Sequence, residues 1–531
     1  MYNIVNGRVG IIEILSIYVI KQFIGGEYLK LVRDYDKIYK KILNEGFFSE
    51  YLPPCFSLNE EIFSKIPSQN CDLIKPYSFS MSRFNANNSR RVIYIPEIGA
   101  YAVLNKFVKD NNILKELTEF IDKNSVSFSP VIMEDGTIMK HDQVYNDNSS
   151  SDEKLDSNYI SNIISKLIKS AGAKKVLKLD IANCFSSIYT HFLPTILLGY
   201  DLAEENYKKK LLNLSTDPIF DVYSKLDSMI RKQNNNQTNG LLVGPILSKL
   251  IVEALLTRLD IELKDKNILF SRYMDDYEIY LFKDDEKNII NTFVSVLKKY
   301  NLSLNFEKIQ IVEFPYYNIE NFDKIINLYR GGKVESFDLI KLFNIFLEIE
   351  KSGTKGAVRY LLKSLDTTPI VVDNNELLNS YILSIMSNDD RSLTKACSLI
   401  IKNFEKTSLN EEYIFRIKDM LKLNIEKEYD LEVIWLLYVL IETKNINQED
   451  NLIESLINSN NELAKILLLR KKLVKQKDIN KIKERAYSWI LNYELYVDNY
   501  IDENEFFKKV LINKNKDMYK KMKEKEIHFC Y

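Results

Sequence analysis

The sequence predicts an α+β fold in two parts, with strands and helices in residues 1–320 and helices alone in residues 321–531. Two observations support this division. The first part contains short apolar segments of strand length that end in turns or at acidic residues. The second part contains amphipathic segments of three or four helical turns, separated by short polar connectors. At 531 residues, the chain is long enough for more than one domain.

A predicted hairpin in the first part carries two acidic residues at its tip. Ile268–Arg272 and Tyr277–Phe282 have the pattern of strands, and Tyr273–Asp276 lies between them. Adjacent carboxylates repel each other unless a cation lies on them, and hard oxygen ligands suit Mg²⁺ or Mn²⁺. The alternative is that Asp275 and Asp276 are simple turn formers, since aspartate is common in turns.

A third acid ends a second apolar strand. Val176–Ile181 has the pattern of a short strand that ends near Asp180. Two-metal phosphoryl transfer needs carboxylates from separate strands that bridge two cations roughly 3.5–4 Å apart. One ion would activate the attacking 3′-hydroxyl, and the other would steady the leaving pyrophosphate. Asp180 and Asp275 are therefore predicted as shared ligands of two ions, with Asp276 as a weaker ligand and Ile181 in the same metal site.

A glycine-rich loop and a helix lie between these two acidic segments. The loop spans Gln237–Ser248, and apolar residues then recur at helical spacing as far as Leu259. Pro245 fits the first helical turn, because its missing N–H costs nothing there. Glycine lets the backbone approach a ligand closely. The alternative is a loop that only leads into a core helix.

The order of these elements resembles motifs A, B, C and D of a reverse transcriptase palm. An acid-ended strand, a Gly-Pro loop with its helix and a Tyr-Met-Asp-Asp hairpin are followed by Leu302–Lys308. The resemblance covers roughly residues 80–315. It implies a fingers and palm fold with an antiparallel palm sheet, RNA-directed DNA polymerase activity, and deoxynucleoside triphosphates and nucleic acid as partners.

The resemblance also implies roles for residues around the acids. Phe185, five residues after the first acid, would stack under the incoming sugar and exclude a 2′-hydroxyl. Gly244 would lie in the loop over the nascent base pair, where group II intron and retron enzymes usually carry serine. Lys308 would be the general acid for pyrophosphate, and Tyr273 would contact the nucleotide. A core phenylalanine and a solvated lysine are the ordinary alternatives.

Two arginines in the predicted fingers complete the candidate site. Arg90 and Arg91 precede an apolar segment that resembles the strand that grips the triphosphate. Guanidinium groups match phosphate oxygens in a bidentate way, so the pair is chemically suited to this role. A surface arginine pair is the competing explanation.

Further segments resemble the abortive-infection reverse transcriptases of bacterial phage defence. These segments are Leu52–Ser57, Ser187–His191, Thr238–Gly240 and Gly353–Arg359. The resemblance implies an all-helical, HEAT-like repeat domain instead of a usual thumb, and assembly into a trimer or hexamer. It also implies template-independent DNA synthesis that begins on a tyrosine hydroxyl. The chain has 33 tyrosines, and the candidates considered are Tyr28, Tyr35, Tyr39 and Tyr531.

Composition narrows the functional classes. The chain is 46% hydrophobic and 28% charged, which is typical of a folded globular protein and excludes wholesale disorder. Charges interrupt the apolar segment Ile11–Ile24, so no membrane association is expected. Five scattered cysteines predict a reducing cytoplasm and no zinc site. A formal net charge of −1 favours a short or enclosed nucleic-acid footprint over a long template groove.

Two other functions are considered. One is a conventional templated enzyme that copies a dedicated non-coding RNA into DNA. The other is a palm retained as an RNA-binding scaffold without catalysis, against which the three intact acids argue. The polar segment Asn146–Asp156 is predicted to be a flexible surface loop between fingers and palm.

The second part is predicted from eight amphipathic segments. Antiparallel helices joined by short loops suggest an irregular α-solenoid. The segments are Phe337–Ile349, Lys355–Leu365, Glu376–Met386, Leu393–Phe404, Glu411–Leu423, Leu431–Thr443, Glu462–Leu473 and Ile479–Leu491.

Overall fold

The computed structural model describes residues 33–58, 62, 71–82, 90–133, 136–139, 159–317, 322–354, 356–404 and 409–531. The apolar segment at 11–24 and the polar segment at 146–156 lie outside these residues. The described strands are β1 (Tyr77–Ser82), β2 (Arg90–Ile95), β3 (Lys175–Asp180), β4 (Phe270–Tyr273), β5 (Asp276–Leu281), β6 (Gln310–Glu313), β7 (Lys333–Val334) and β8 (Val371–Val372).

The helices of the first part surround the strands. They are α1 (Tyr35–Glu45), α2 (Ile98–Asp110), α3 (Ile113–Asn124), α4 (Tyr159–Lys169), α5 (Cys184–Ser187), α6 (Thr195–Leu198), α7 (Tyr200–Leu211), α8 (Pro218–Gln233), α9 (Ile246–Asp265) and α10 (Glu286–Lys299).

The second part is helical except for the short β7–β8 pair. Its helices are α11 (Phe322–Asn327), α12 (Ser336–Lys351), α13 (Ala357–Thr367), α14 (Asn375–Asn388), α15 (Leu393–Phe404), α16 (Glu411–Glu426), α17 (Asp430–Glu442), α18 (Asn451–Asn458), α19 (Glu462–Arg470), α20 (Ile479–Arg485), α21 (Trp489–Val497), α22 (Glu503–Val510) and α23 (Lys516–Glu524).

The palm sheet has the strand order β4-β5-β3-β6, and each of its neighbouring pairs is antiparallel. Val176, Leu177 and Leu179 of β3 are buried, as β-branched and apolar residues at the centre of a sheet should be. The register of β3 against β5 pairs Asp180 with Asp276. The predicted antiparallel sheet is therefore confirmed, and its register brings the ends of two acidic strands together.

The long helix α9 forms much of the core beside this sheet. Its apolar residues are buried on nearly every side, and it packs against α3, α6 and α10. The helix begins at Ile246, and Pro245 precedes it as the N-cap with an extended backbone (φ −62°, ψ 137°). The sequence predicts Pro245 in the first helical turn, whereas in the structure it lies one residue before that turn.

Nine of the described helices in the second part form two rows. One row is α13, α15, α17, α19 and α21, and each of these helices contacts the next in the series. Every residue of α17 from Leu431 to Leu440 is buried, which indicates a helix enclosed on all sides. Helices α12, α14, α16 and α18 lie beside this row. The arrangement agrees with a helical solenoid, whereas the HEAT-like assignment and the boundary at residue 320 stay predictions.

One predicted helix is divided in the structure. The segment Ile479–Leu491 forms α20 and the start of α21, with a break at residues 486–488. Ser488 caps α21, because its hydroxyl accepts a hydrogen bond from the N–H of Leu491. Periodicity alone misses this break, since apolar residues continue through it.

The last hundred residues pack onto the fingers. The Asp430 carboxylate accepts a hydrogen bond from the N–H of Ser80 at 2.8 Å, and the Trp435 indole donates to the carbonyl of Tyr51 at 2.7 Å. Near the other end of this region, the N–H of Tyr531 donates to the carbonyl of Cys55 at 3.0 Å. The helical region thus packs against β1 and against the segment between α1 and β1.

Among the helices that the structure describes, none combines the length and the apolar character that a bilayer span requires.

Candidate active site

Three carboxylates meet at one end of the palm sheet. Asp180 ends β3, Asp276 begins β5 directly opposite, and Asp275 lies in the turn between β4 and β5. One carboxylate oxygen from each residue lies within 4.8 Å of the other two. An all-oxygen set at this spacing fits a divalent metal ion.

The turn that carries Asp275 has an unusual backbone. Met274 has a φ of 52°, which is in the left-handed region. A side chain there costs about 1–2 kcal/mol compared with a right-handed conformation. The surrounding structure must offset this cost.

Two side chains from the segment after α10 contact the first acid. The Asn305 amide donates to Asp180 Oδ2 at 3.0 Å, and Lys308 Nζ lies 3.0 Å from the same oxygen. The N–H of Asn305 also donates to the carbonyl of Asp180 at 2.8 Å. This segment is the predicted motif D, and the structure brings its lysine to the acids.

The three acids change each other's protonation. Burial, and then the negative charge of Asp180, raises the pKa of Asp275, while Arg91 and Lys308 oppose this shift. Partial loss of surrounding water, together with the charges of Asp275 and Asp180, raises the pKa of Asp276 to about 7. Asp276 keeps an exposed surface, so repulsion from the neighbouring carboxylates contributes to this shift alongside burial. A cation at this position would relieve that repulsion.

Phe185 lies next to the acids. It is half-buried and lines a small cavity together with Met274, Asp275 and Lys249. The backbone carbonyl of Phe185 accepts a hydrogen bond from the N–H of Leu241 at 2.9 Å. The structure therefore places the predicted sugar contact between the acids and the glycine-rich loop.

Gly244 is held against the fingers strand β2. The N–H of Tyr94 donates to the carbonyl of Val243 at 2.8 Å, and Gly244 has a φ of +136°. A Cβ atom at position 244 would lie 2.7 Å from the carbonyl oxygen of Tyr94, so any larger residue requires the backbone to shift. This close approach explains why glycine stands where related motifs carry serine.

The two predicted triphosphate ligands point in different directions, because successive side chains of a strand alternate between faces. Arg91 is exposed, and its charge acts on Asp275. Arg90 instead forms an ion pair with Glu432 and lies over the ring of Tyr429 at 3.9 Å. The structure brings Arg91 to the acids and takes Arg90 to the helical region.

The remaining predicted residues lie at the same edge. Tyr273 ends β4 and is 39% exposed, so its side chain is accessible beside the turn. Ile181 buries its side chain, and its N–H donates to the carbonyl of Asp275 at 3.3 Å. Its backbone thus ties the end of β3 to the acidic turn, while its role in metal binding stays a prediction.

Sequence reasoning missed a buried charge cluster beneath the turn. Arg272 is 1% exposed and is bound by Glu253 and Asp260 of α9. It also donates to the carbonyl of Met274 at 2.9 Å. Asn305 was missed as well, although it stands only three residues before the predicted motif D lysine. Glu253 and Asp260 are seven residues apart, so they lie on the same face of α9 two turns apart. Two acids on one face of an otherwise apolar helix are the sequence signal that could have suggested the cluster.

Comparison with protein families finds one match over this region. The profile of the family described as "Reverse transcriptase (RNA-dependent DNA polymerase)" matches residues 85–361, which include all three acids. A search of curated proteins finds no match.

Comparison with solved structures finds telomerases with low overall similarity. Telomerase from Candida tropicalis, in complex with a fragment of telomeric RNA, has a TM-score of 0.29 and 14% identity over 73% of this chain and 64% of that one. The corresponding Candida albicans complex has a TM-score of 0.29 and 14% identity over 80% and 65%. Apo telomerase from Candida tropicalis has a TM-score of 0.31 and 12% identity, over 75% of this chain and 68% of that one. This chain thus spans slightly less than two thirds of the first two structures.

Proposed function

We propose that this chain, which belongs to the reverse transcriptase (RNA-dependent DNA polymerase) family, is a DNA polymerase that transfers deoxynucleotides at Asp180, Asp275 and Asp276. The observation that carries the proposal is the convergence of these three carboxylates from two neighbouring strands, within 4.8 Å of one another. Two Mg²⁺ or Mn²⁺ ions bound there would activate the primer hydroxyl and neutralise the leaving pyrophosphate.

The surrounding side chains have separate roles in this proposal. Phe185 supports the sugar of the incoming nucleotide, and Arg91 binds its triphosphate. Lys308 binds Asp180 in the absence of substrate and supplies a proton to the pyrophosphate during transfer. Its position 3.0 Å from Asp180 supports this role, since the proton donor must lie beside the reacting phosphates. Gly244 keeps the loop over the nascent base pair close to β2.

We further propose that the chain is a phage-defence enzyme of the abortive-infection type. This proposal rests on the sequence segments that resemble that group, and it includes template-independent synthesis from a tyrosine hydroxyl, a HEAT-like second domain and a trimer or hexamer. Of the tyrosines considered, Tyr39 has a buried hydroxyl, whereas Tyr531 is 49% exposed. Tyr28 lies outside the described residues.

An incorporation assay tests the polymerase and its priming. The purified protein is incubated with labelled dNTPs and Mg²⁺ or Mn²⁺, with and without added nucleic acid. Label that stays covalently on the protein after denaturation, and is absent in Asp275→Ala, supports protein-primed synthesis. Label found only in free DNA rejects the priming proposal and keeps the polymerase. No incorporation under any of these conditions rejects both.

Templated copying of a bound RNA is the second candidate function. The family match favours it, because the family is named for RNA-dependent synthesis. Under this alternative, nuclease treatment of the purified protein abolishes activity, and the product sequence is complementary to a bound RNA. Sequencing of the product decides between the two, since a homopolymer or a random sequence excludes copying.

A further inference from the structure

We propose that Arg272 is a positioning residue that holds the turn between β4 and β5 in its metal-binding conformation. It does so by joining the carbonyl of Met274 to the buried helix α9. The inference rests on the proposed function, because the turn is the one that carries Asp275 and Asp276.

Every N–H group of the Arg272 guanidinium has an acceptor. Nε and Nη2 donate to the Asp260 carboxylate at 3.0 and 2.8 Å. Nη2 and Nη1 donate to the two oxygens of Glu253 at 2.8 and 2.9 Å. The second hydrogen of Nη1 is directed to the carbonyl of Met274 at 2.9 Å. Arginine has five N–H donors in a rigid plane, and the five acceptors here use all of them.

The acceptors come from separate parts of the chain. Glu253 and Asp260 are on α9, whereas Met274 is in the hairpin turn. Arg272, Glu253 and Asp260 are 1%, 4% and 0% exposed, so the interactions are removed from solvent. Tyr277, which follows the turn, adds a hydroxyl bond to Asp260 at 3.2 Å. The helix after the glycine-rich loop thus fixes both strands that flank the acidic turn.

The turn needs such an anchor for two reasons. Met274 adopts a left-handed backbone that its side chain disfavours, and Asp275 and Asp276 repel each other. The carbonyl of Met274 belongs to the same peptide group as the N–H of Asp275. When Arg272 fixes this carbonyl, it fixes the direction in which Asp275 leaves the turn. Groups that orient metal ligands in this way commonly control metal affinity.

Lysine at position 272 is the informative substitution. It keeps the positive charge but has only three donors and no planar fork, so it cannot bind both acids and the carbonyl together. A residue that only stabilises the fold would lower the melting temperature without changing the metal affinity of the folded protein. A positioning residue would change that affinity.

The test measures Mn²⁺ binding to the full-length protein by electron paramagnetic resonance, a readout that needs no catalysis. In Arg272→Lys, the dissociation constant should rise by about 10-fold or more, as for other groups that orient metal ligands. Asp260→Asn, which loosens the anchor from the helix, should change it in the same direction. Arg359→Lys is the matched control: Arg359 is a buried arginine that donates to a backbone carbonyl in the helical region, and its substitution should leave Mn²⁺ affinity unchanged.

The outcomes separate this inference from the proposed function. If the wild-type protein shows no Mn²⁺ binding that depends on Asp275, the proposed function fails. If wild-type binding depends on Asp275 but folded Arg272→Lys binds equally well, the positioning role is overturned. Should Arg272→Lys not fold, Asp260→Asn decides by the same criterion. If neither Arg272→Lys nor Asp260→Asn folds, Tyr277→Phe decides, because it removes only one hydroxyl hydrogen bond from the network. A measurable loss of Mn²⁺ affinity in this variant supports the positioning role, and wild-type affinity overturns it.

Discussion

The acidic edge of the palm sheet and the helical region treat acidic side chains in opposite ways. In the helical region, Glu494 is fully buried and accepts hydrogen bonds from the N–H of Phe529 and from the ring of His528, each at 2.7 Å. Glu462 likewise accepts from the N–H groups of Tyr487 and Ser488. These acids are matched by donors of the chain itself, so they contribute to folding and need no ligand.

The acids at the palm edge are not matched in this way. Asp180, Asp275 and Asp276 supply three negative charges, and Lys308 and Arg91 are the cations that act on them. Burial, together with repulsion from Asp275 and Asp180, raises the pKa of Asp276 to about 7. An acidic cluster that is costly without a cation indicates binding, whereas acids satisfied by backbone N–H groups indicate packing.

The largest effect is expected from Asp275→Ala. Loss of a shared ligand should reduce nucleotide incorporation by about 10³-fold or more, as loss of a central catalytic group commonly does. Since the substitution also removes repulsion, the melting temperature of the metal-free protein should not fall. Activity above one tenth of wild type would contradict the assignment of Asp275.

The two fingers arginines provide the next test. Arg91→Ala should raise the KM for dNTP by about 10- to 100-fold, because a charge-assisted bond to phosphate contributes about 1.5–3 kcal/mol. Arg90→Ala should lower stability with little change in KM, since it leaves Glu432 buried without its partner. Steady-state kinetics and thermal melts of both variants check the contrast. If both substitutions changed KM equally, Arg91 and Arg90 would not have separate roles in triphosphate binding and in stability.

Glu494→Ala tests the acid of the helical region. It should lower the free energy of unfolding by about 1–3 kcal/mol, because the N–H of Phe529 and the ring of His528 lose a buried acceptor. Activity per folded molecule should stay at the wild-type level, as measured by incorporation normalised to the amount of folded protein. A loss of activity without a loss of stability would give this acid a role beyond packing.

The smallest effect is expected in the dependence of stability on pH. The pKa of Asp276 is about 7 in the folded protein and near its ordinary value of 3.8 when unfolded, so the folded state binds this proton more tightly. Metal-free stability should therefore fall as pH rises from about 4 to about 7, and Mg²⁺ should restore it most strongly above pH 7. Melting temperatures with and without Mg²⁺ at pH 5.5 and pH 8 measure this. In Asp276→Asn, the difference between the two pH values should shrink.

The sequence was sufficient to predict the strands of the palm and the acids that lie at their ends. The hairpin and the strand that ends at Asp180 have the length and apolar content that β-structure requires, and both lie within the residues that the family profile matches. The motif pattern also singled out Lys308, whose Nζ lies 3.0 Å from Asp180 Oδ2, while its role as a general acid stays a prediction.

Interactions between distant segments could not be predicted in this way. The partner of Arg90 is 342 residues further along the chain, and no local pattern identifies it. A buried Arg272 has the same sequence appearance as a polar residue on the exposed face of a strand. Its burial follows from two acids on α9, whose apolar pattern predicts only a core helix. Hydrophobic periodicity thus predicts helices and strands, whereas ion pairs between distant elements can be identified only in the folded structure.

The contact between the glycine-rich loop and β2 restricts how this chain can be recombined with its relatives. In a chimaera that took β2 from this chain and a serine-bearing loop from another parent, the serine Cβ would lie 2.7 Å from the carbonyl oxygen of Tyr94. Crossover points between Ile95 and Gly244 would therefore produce strained hybrids, even where each half is native. Productive exchanges should transfer the strand and the loop together as one block.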